Sequence, residues 1–377
     1  MNTVKSILLI LMPVCLLLLP VSSYGRHAAI MIDAENGSIL HEENATHSWY
    51  PASLTKVMTL YMAFDALKAG QIHLYDTLTV SNHASRQPNS KLGLRQGETL
   101  TVQDAILAII TRSANDAAVV LSEHLGGTEE SFAAKMTAKA HNLGMYDSHF
   151  MNATGLPHPW QVTTSRDMAV LAWKTQQNFP NYYPYFAAHT FNYKGRELHG
   201  INKFTANYPG AEGMKTGFTC GSGYNLISVA SQNGKRLIGV ILGGMTSAER
   251  YQLMINMMND GFANKANAYP GRNINAMPTS TAGAPPYQIG CGNMAPTSMG
   301  STASNDSYEQ PKLISKVGAI SRHHAAVISH KPVTRIKRVG KTKAAVNSKI
   351  RPAYQNTATP VSKNAGKTKP SKTRYHH

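Results

Sequence analysis

Apolar positions along the chain keep two different periods, and the change of period marks out its elements. Ala28 to Asp33 is a short apolar run that reads as a β-strand. Glu35-Asn36-Gly37-Ser38 then supplies turn residues, and Ile39 to His41 begins the return of a hairpin. From Ser53 to Leu67 the pattern turns helical, with Val57, Leu60, Tyr61, Phe64 and Leu67 on one stripe facing a core. Further helices are predicted over Val102 to Ile110, Asp116 to His124, Glu129 to Asn142, Arg166 to Gln177 and Ala248 to Phe262, several behind a Thr or Ser able to cap. Strands return at Gly213 to Thr219, Tyr224 to Ala230 and Arg236 to Gly243, with Gln232-Asn233-Gly234 as the turn between the last two. The order implies a mixed α/β (α+β) domain over residues 26–265, in which both ends of the domain share one sheet and the helices lie between.

After Lys265 this periodicity fades into Pro, Ser, Thr, Asn and Gly and then into Lys-Thr-Lys and Pro-Ser-Lys fragments. Such a composition buries too little apolar surface to order itself, so residues 266–377 are predicted to be a low-complexity tail. Within it Leu313, Val317, Ile320, Val327 and Ile328 could line one face of a short basic helix, a membrane-surface binder or a briefly structured linker. At the other end, Lys5, the apolar run from Ile7 to Leu19 and the small residues Ser23 and Gly25 have the three parts of a secretory signal. The run is shorter than the ~20 residues that a membrane-spanning helix needs, and Pro13 interrupts it, so cleavage after Gly25 is expected.

Charge is unevenly placed. Residues 266–377 hold 17 Lys and Arg against Asp306 and Glu309, a net +15 of the chain's +17, which leaves the folded part nearly neutral. A tail of this kind suits an anionic envelope polymer or a membrane surface, or simply stays solvated; nucleic acid would fit the charge but not the export signal. Cys15 departs with the signal, leaving Cys220 and Cys291, so the chain is no disulfide scaffold, although one bridge between the two is open to an exported protein.

Three short motifs carry residue types that amide chemistry needs: a nucleophile, a proton acceptor, and donors for an anion. Ser53-Leu54-Thr55-Lys56 places a hydroxyl and an amine three residues apart, on one face of a helix, where a desolvated lysine can act as base. Ser113-Ala114-Asn115 falls between two helical stretches, where a loop can present a hydroxyl and an amide to a cleft. Lys215-Thr216-Gly217 opens a strand with a cation and a hydroxyl for a carboxylate, and with a glycine that lets substrate approach the backbone. Each motif alone has an ordinary structural explanation; the order and spacing of all three is more specific.

This set resembles that of the low-molecular-mass penicillin-binding proteins of the D-alanyl-D-alanine carboxypeptidase family. The resemblance is carried by Pro-Ala-Ser-Leu-Thr-Lys at 51–56, Ser-Ala-Asn-Asp-Ala-Ala at 113–118, Met-Lys-Thr-Gly-Phe-Thr at 214–219, Gly-Tyr-Asn-Leu at 223–226 and Arg250. It implies a five-stranded antiparallel sheet backed by a helical cluster, the β-lactamase and D,D-peptidase fold, with the site in the cleft between them. It further implies Ser53 as acylated nucleophile, Lys56 as its base, Ser113 as a proton relay and Asn115 as orienting group. Lys215 and Thr216 become receptors of the substrate carboxylate, with Gly217 between them and Phe218. The backbone N–H groups of Ser53 and Phe218 become the oxyanion hole, and Arg250 adds charge near the carboxylate, although an arginine at a helix start is more often a surface residue.

Two departures stand out: Ala114 where relatives often have Gly, and no plain sign in residues 266–377 of the β-rich domain and amphipathic anchor that many relatives carry. The expectation is an exported enzyme of the periplasm or cell envelope that trims terminal D-Ala from peptidoglycan pentapeptides and is acylated by β-lactams. A D,D-endopeptidase, a β-lactamase and a wall-binding protein acting through its tail are the alternatives. Sixteen His residues form no His-Glu-x-x-His, Cys-x-x-Cys and Gly-x-Ser-x-Gly are absent, and His158 between prolines reads as a loop residue. No metal and no cofactor are expected.

Overall fold

The computed structural model describes residues 27–265, 271–279 and Pro285. Strands β1 (Ala28–Asp33) and β2 (Ile39–Glu43) form the predicted hairpin, and the chain then enters α1 (Thr55–Lys68). A middle section follows with β3 (Thr77–Thr79), α2 (Asn82–Ser85), β4 (Thr99–Thr101), α3 (Val102–Arg112), α4 (Asn115–Gly126), α5 (Glu129–Asn142) and α6 (Ser165–Asn178). After the small hairpin β5 (Thr190–Tyr193) and β6 (Arg196–His199) and the short α7 (Lys203–Asn207) come β7 (Ala211–Thr219), β8 (Gly223–Gln232) and β9 (Lys235–Gly244). Helix α8 (Ser247–Phe262) closes the series.

The five long strands make one antiparallel sheet in the order β2-β1-β9-β8-β7, so the N-terminal hairpin pairs with the last strand and β7 is left at an edge. Alternation of side chains sends them to two cores. Ala28, Ile30 and Ile32 of β1, Ile227 and Val229 of β8, and Ile238, Val240 and Leu242 of β9 pack toward the helical cluster. Ala29, Met31, Leu226, Leu237 and Ile241 pack on the other face against Met254, Met257 and Met258 of α8. A strand buried on both faces shows an unbroken apolar run, which is why Ala28 to Asp33 lacks the polar alternation of a surface strand.

Four of the helices start at a threonine whose hydroxyl accepts an N–H of the first turn: Thr101, Thr128, Thr164 and Thr246. Each such cap contributes on the order of 1 kcal/mol. The short pairs β3/β4 and β5/β6 escape the sequence pattern because strands of three or four residues hold too few alternations to register.

Ordered packing continues past Lys265, where the sequence places the start of the tail. Asn273 bridges Ser38, Ile274 N–H donates to Gly37, and the side chains of Ile274 and Met277 are buried against the β1–β2 end of the domain. Two apolar residues in a polar stretch are too sparse to form a periodic signal, yet they are enough to dock it. Cys220 is disulfide-bonded, with its partner outside the described residues. The secretory segment, the basic amphipathic stretch at 313–328 and the tail's binding partner also fall outside them, and none of the described helices is long and apolar enough to cross a membrane.

Candidate active site

Between the edge strand β7 and the N-terminal ends of α1 and α4 lies a cleft of about 380 Å³, bordered by Ser53, Ser113, Asn115, Thr216, Phe218 and Arg250. Residues from the three sequence motifs therefore converge on one cavity, although Ser53, Ser113 and Thr216 are 60 to 163 positions apart in the chain.

Ser53 sits within a single 3₁₀ turn, Ala52–Leu54, that feeds α1, so the α-helix starts at Thr55 rather than at Ser53 as the periodicity predicts. The cause is upstream. Asn225 on β8 donates its Nδ2 to the Tyr50 and Pro51 carbonyls at 2.9 and 3.1 Å, and Ala52 takes a left-handed φ of +47°. The turn is thus tied to the sheet, and the serine is held at the cleft instead of being wound into the helix.

Lys56, one turn on, is fully buried and makes three contacts: Ser53 Oγ at 3.0 Å, Asn115 Oδ1 at 2.7 Å and the Thr154 carbonyl at 2.5 Å. Burial, and after it the charge of Lys215, hold its amine well below the ordinary lysine range. The chemistry of the partners orders these contacts. The Thr154 carbonyl only accepts, and Asn115 must present its oxygen to Lys56 because its Nδ2 donates to the Pro88 carbonyl at 2.9 Å. In the ammonium form the third N–H donates to Ser53 Oγ, whereas in the neutral form, with two N–H groups taken by these acceptors, the lone pair is left toward the Ser53 hydroxyl.

Ser113 ends α3 in a left-handed conformation, φ +56°, that turns its hydroxyl toward β7, where Lys215 Nζ donates to it at 2.8 Å. Lys215 also donates to the Thr216 carbonyl at 2.8 Å. Its pKa is pushed down to about 7 by burial, with the nearby Arg250 adding to the effect. The third N–H of its ammonium form remains for a ligand. Gly217 borders the cleft and has a second task besides the one the sequence suggests. A Cβ there would lie 3.1 Å from the Ser53 nitrogen and 3.2 Å from the Leu54 nitrogen, so glycine lets the strand itself run against the serine's backbone.

Phe218 is 45% exposed and stacks on Tyr224 with ring centroids 4.2 Å apart. Arg250, at a helix start where an arginine is more often exposed, is buried at 5% exposure, with Nη1 on the Asn225 carbonyl at 3.1 Å and Nη2 on Ser247 Oγ at 3.1 Å. Its guanidinium stacks 4.3 Å from the Tyr251 ring and still borders the cleft. A position at the start of a helix does not reveal that the sheet folds under it.

Several residues that build the site carry no role in the sequence reading. Thr154 and Gly155 belong to the Asn152-Ala153-Thr154-Gly155 turn, and Gly155, at φ +81°, borders the cleft against the Ala52 carbonyl. Asn225 and Asp116 stand in quoted motifs without a task. Asp116 accepts the N–H groups of Leu92, Gly93 and Leu94 and so folds back the loop that carries Asn89 and Ser90, both on the cleft. The turn propensity of residues 152–155 was a usable signal; the partners of Asp116 and Asn225 were not legible.

Comparisons with known proteins converge on one family. The profile of the family described as D-alanyl-D-alanine carboxypeptidase matches residues 22–246. D-alanyl-D-alanine carboxypeptidase DacC of Escherichia coli is 35% identical over 247 residues, 64% of this chain and 62% of the relative. DacF of Bacillus subtilis is 32% identical over 246 residues, 64% of this chain and 63% of the relative. The chain thus spans somewhat more than three fifths of the length of the curated relatives it matches. Among solved structures, penicillin-binding protein 5 of Haemophilus influenzae superposes with a TM-score of 0.61 at 31% identity, covering 65% of this chain and 73% of that one. Penicillin-binding protein D2 of Listeria monocytogenes in its ampicillin-bound form superposes with a TM-score of 0.58 at 31% identity, covering 62% and 96%.

Proposed function

This chain belongs to the D-alanyl-D-alanine carboxypeptidase family, and from that membership and the geometry of the cleft we propose that it is a serine D,D-carboxypeptidase acting on peptidoglycan stem peptides. The observation that carries the reading is the arrangement at Lys56. Asn115 Oδ1 and Thr154 O accept two of its N–H groups beside Ser53 Oγ at 3.0 Å, so that once the amine is neutral its lone pair is directed to the Ser53 proton. A lysine that merely capped a helix would be hydrated and protonated; this one is stripped of water and held below its usual pKa.

In the proposed reaction Ser53 Oγ attacks the carbonyl between the two terminal D-Ala residues and passes its proton to Lys56 Nζ. The oxyanion is received by the backbone N–H groups of Ser53 and Phe218. The C–N bond then breaks, the leaving D-Ala amine takes a proton relayed through Ser113, and an ester on Ser53 remains. Water hydrolyses that ester, the proton again going through Lys56, and Ser53 is restored. Lys215 and Thr216 hold the terminal carboxylate, with Arg250 adding positive charge behind them, and Gly217 keeps β7 close enough for both ends of the substrate to be met. β-Lactams enter the same scheme because their strained amide meets Ser53 as the D-Ala-D-Ala bond does. The substrate places the enzyme in the cell envelope, in accord with the export signal read at residues 1–25, and the basic residues of 266–377 suit an anionic envelope surface.

The test is to incubate the chain and a Ser53→Ala control with purified peptidoglycan and identify the muropeptides by mass spectrometry. Loss of one D-Ala from pentapeptides with crosslinked dimers intact is the expected result. Conversion of dimers to monomers would reassign the enzyme as an endopeptidase, and no change beyond the control would refute peptidase activity.

A further inference from the structure

His83 and Glu129 lie outside the cleft, yet two lines of hydrogen bonds starting from Lys56 end on them. The first runs through the turn at 152–155. Lys56 donates to the Thr154 carbonyl, the neighbouring Ala153 N–H donates to Glu129 Oε1 at 3.0 Å, and the Ala153 carbonyl accepts from Thr59 Oγ1 at 2.7 Å. The second runs through Asn115, which accepts from Lys56, donates Nδ2 to the Pro88 carbonyl and donates its own N–H to the Ser90 carbonyl at 2.8 Å. Pro88 and Ser90 continue directly from α2, which carries His83. His83 Nε2 meets Glu129 Oε2 at 2.6 Å and closes the ring.

We propose that Glu129 and His83 are positioning residues for Lys56, joining the two segments that hold the amine and setting the charge it feels. The inference rests on the reading of Lys56 as the base. Glu129 is well placed for both tasks. One carboxylate oxygen fixes the Asn152–Ala153 peptide, two along from the Thr154–Gly155 peptide that receives Lys56, and the other is paired to His83, while its side chain is 9% exposed against 53% for the imidazole. Its negative charge favours the ammonium form of Lys56, as does that of Asp116, while Lys215 opposes both.

His83 is the titratable member of the pair. Its hydrogen bond to Glu129 raises the His83 pKa above the ordinary imidazole value, and the charges of Glu129, Glu123 and Glu130 act in the same direction. Of the neighbours, Glu123 also accepts from Ser81 Oγ and the Gln87 amide lies 3.4 Å from His83 Nε2. Below the raised pKa the imidazolium offsets the Glu129 charge; above it Glu129 stands uncompensated and Lys56 retains its proton more readily. His83 thereby makes the basicity of Lys56 a function of pH through a group that never touches substrate.

The test uses the full chain, with Glu129→Ala, Glu129→Gln, His83→Ala and His83→Gln, and two readouts. One is the rate of Ser53 acylation by a fluorescent penicillin across pH, with the folded fraction monitored by thermal melting. The other is the titration of Lys56 itself, followed by NMR in lysine-labelled protein and assigned with Lys56→Arg. Both alanine variants are expected to acylate on the order of ten- to a hundredfold more slowly, with the amide variants recovering part of the loss. Glu129→Gln is expected to move the acid limb of the rate profile, and the Lys56 titration with it, to lower pH. Rates that fall only with the folded fraction, or a Glu129→Gln titration of Lys56 identical to wild type, would overturn the proposal. Absence of any Ser53 adduct in the wild-type chain would instead refute the proposed function, and the NMR titration would still decide the role of the pair.

Discussion

Gly155→Ala is the substitution whose consequence can be worked most directly from the structure. A Cβ at this position would stand 1.8 Å from the Ala52 carbonyl oxygen, where contacts below 3.0 Å are essentially never seen. The turn at 152–155 and the turn carrying Ser53 would therefore have to separate by at least the difference, 1.2 Å. The backbone at φ +81° adds a conformational cost of roughly 1–2 kcal/mol for any residue with a Cβ. Both turns serve Lys56: one carries its Thr154 acceptor and the other carries Ser53. A displacement of about 1 Å between reacting groups costs on the order of a hundredfold in rate, or about 2.7 kcal/mol in the barrier. Acylation by a fluorescent penicillin should thus slow about a hundredfold, while circular dichroism shows a folded chain with a modestly lowered Tm. A variant that acylates within about threefold of wild type would refute the claim that this contact sets the distance between Ser53 and its base.

Other outcomes follow from the same geometry. Ser53→Ala should abolish the benzylpenicillin adduct seen by mass spectrometry without lowering Tm, and an adduct mapped to another residue would remove the nucleophile assignment. KM for a peptide with a free terminal carboxylate should rise as pH rises through about 7, because Lys215 loses its charge there, while KM for the same peptide amidated at its C-terminus should not follow; parallel profiles would remove Lys215 as carboxylate receptor. The buried Lys215 also binds its proton less tightly when folded than when unfolded. The unfolded chain therefore holds more protons between pH of about 7 and the ordinary lysine value, and stability against urea should rise with pH across that window, with a smaller slope in Lys215→Met. A chain ending at Lys265 should melt below one ending after Pro285, since it lacks the buried Ile274 and Met277, each contributing about 1.5–3 kcal/mol. Turnover at 25 °C by the chain ending after Pro285 should equal that of the full chain, and loss of most of it would assign the remaining tail a catalytic task.

The pattern of apolar residues by itself determined most of the architecture. A helix such as Glu129–Asn142 is legible because its cap, its charge placement and its spacing are all local properties, and its bounds agree with the structure at both ends. Strands Ala28–Asp33 and Lys235–Gly244 are legible as runs, and the Asn233-Gly234 turn fixes the pairing of β8 with β9. Ser53, Lys56, Ser113, Asn115 and Lys215 were legible as motifs because their chemistry constrains residue type at short spacing. What the tertiary structure alone decided is the environment of those residues. Burial, which strips Lys56 and Lys215 of water, depends on helices and strands far away in sequence. The same holds for Arg250, a helix-start cation that the sheet covers, and for Asn225, whose amide reaches across to Tyr50 and Pro51. It holds also for Glu129 and His83, 46 residues apart, which meet only because the start of α5 lies against α2. Local propensity is written in neighbours along the chain, whereas desolvation and hydrogen-bond partners are set by neighbours in space, and it is on these that the proposed pairing of Ser53 with Lys56 rests.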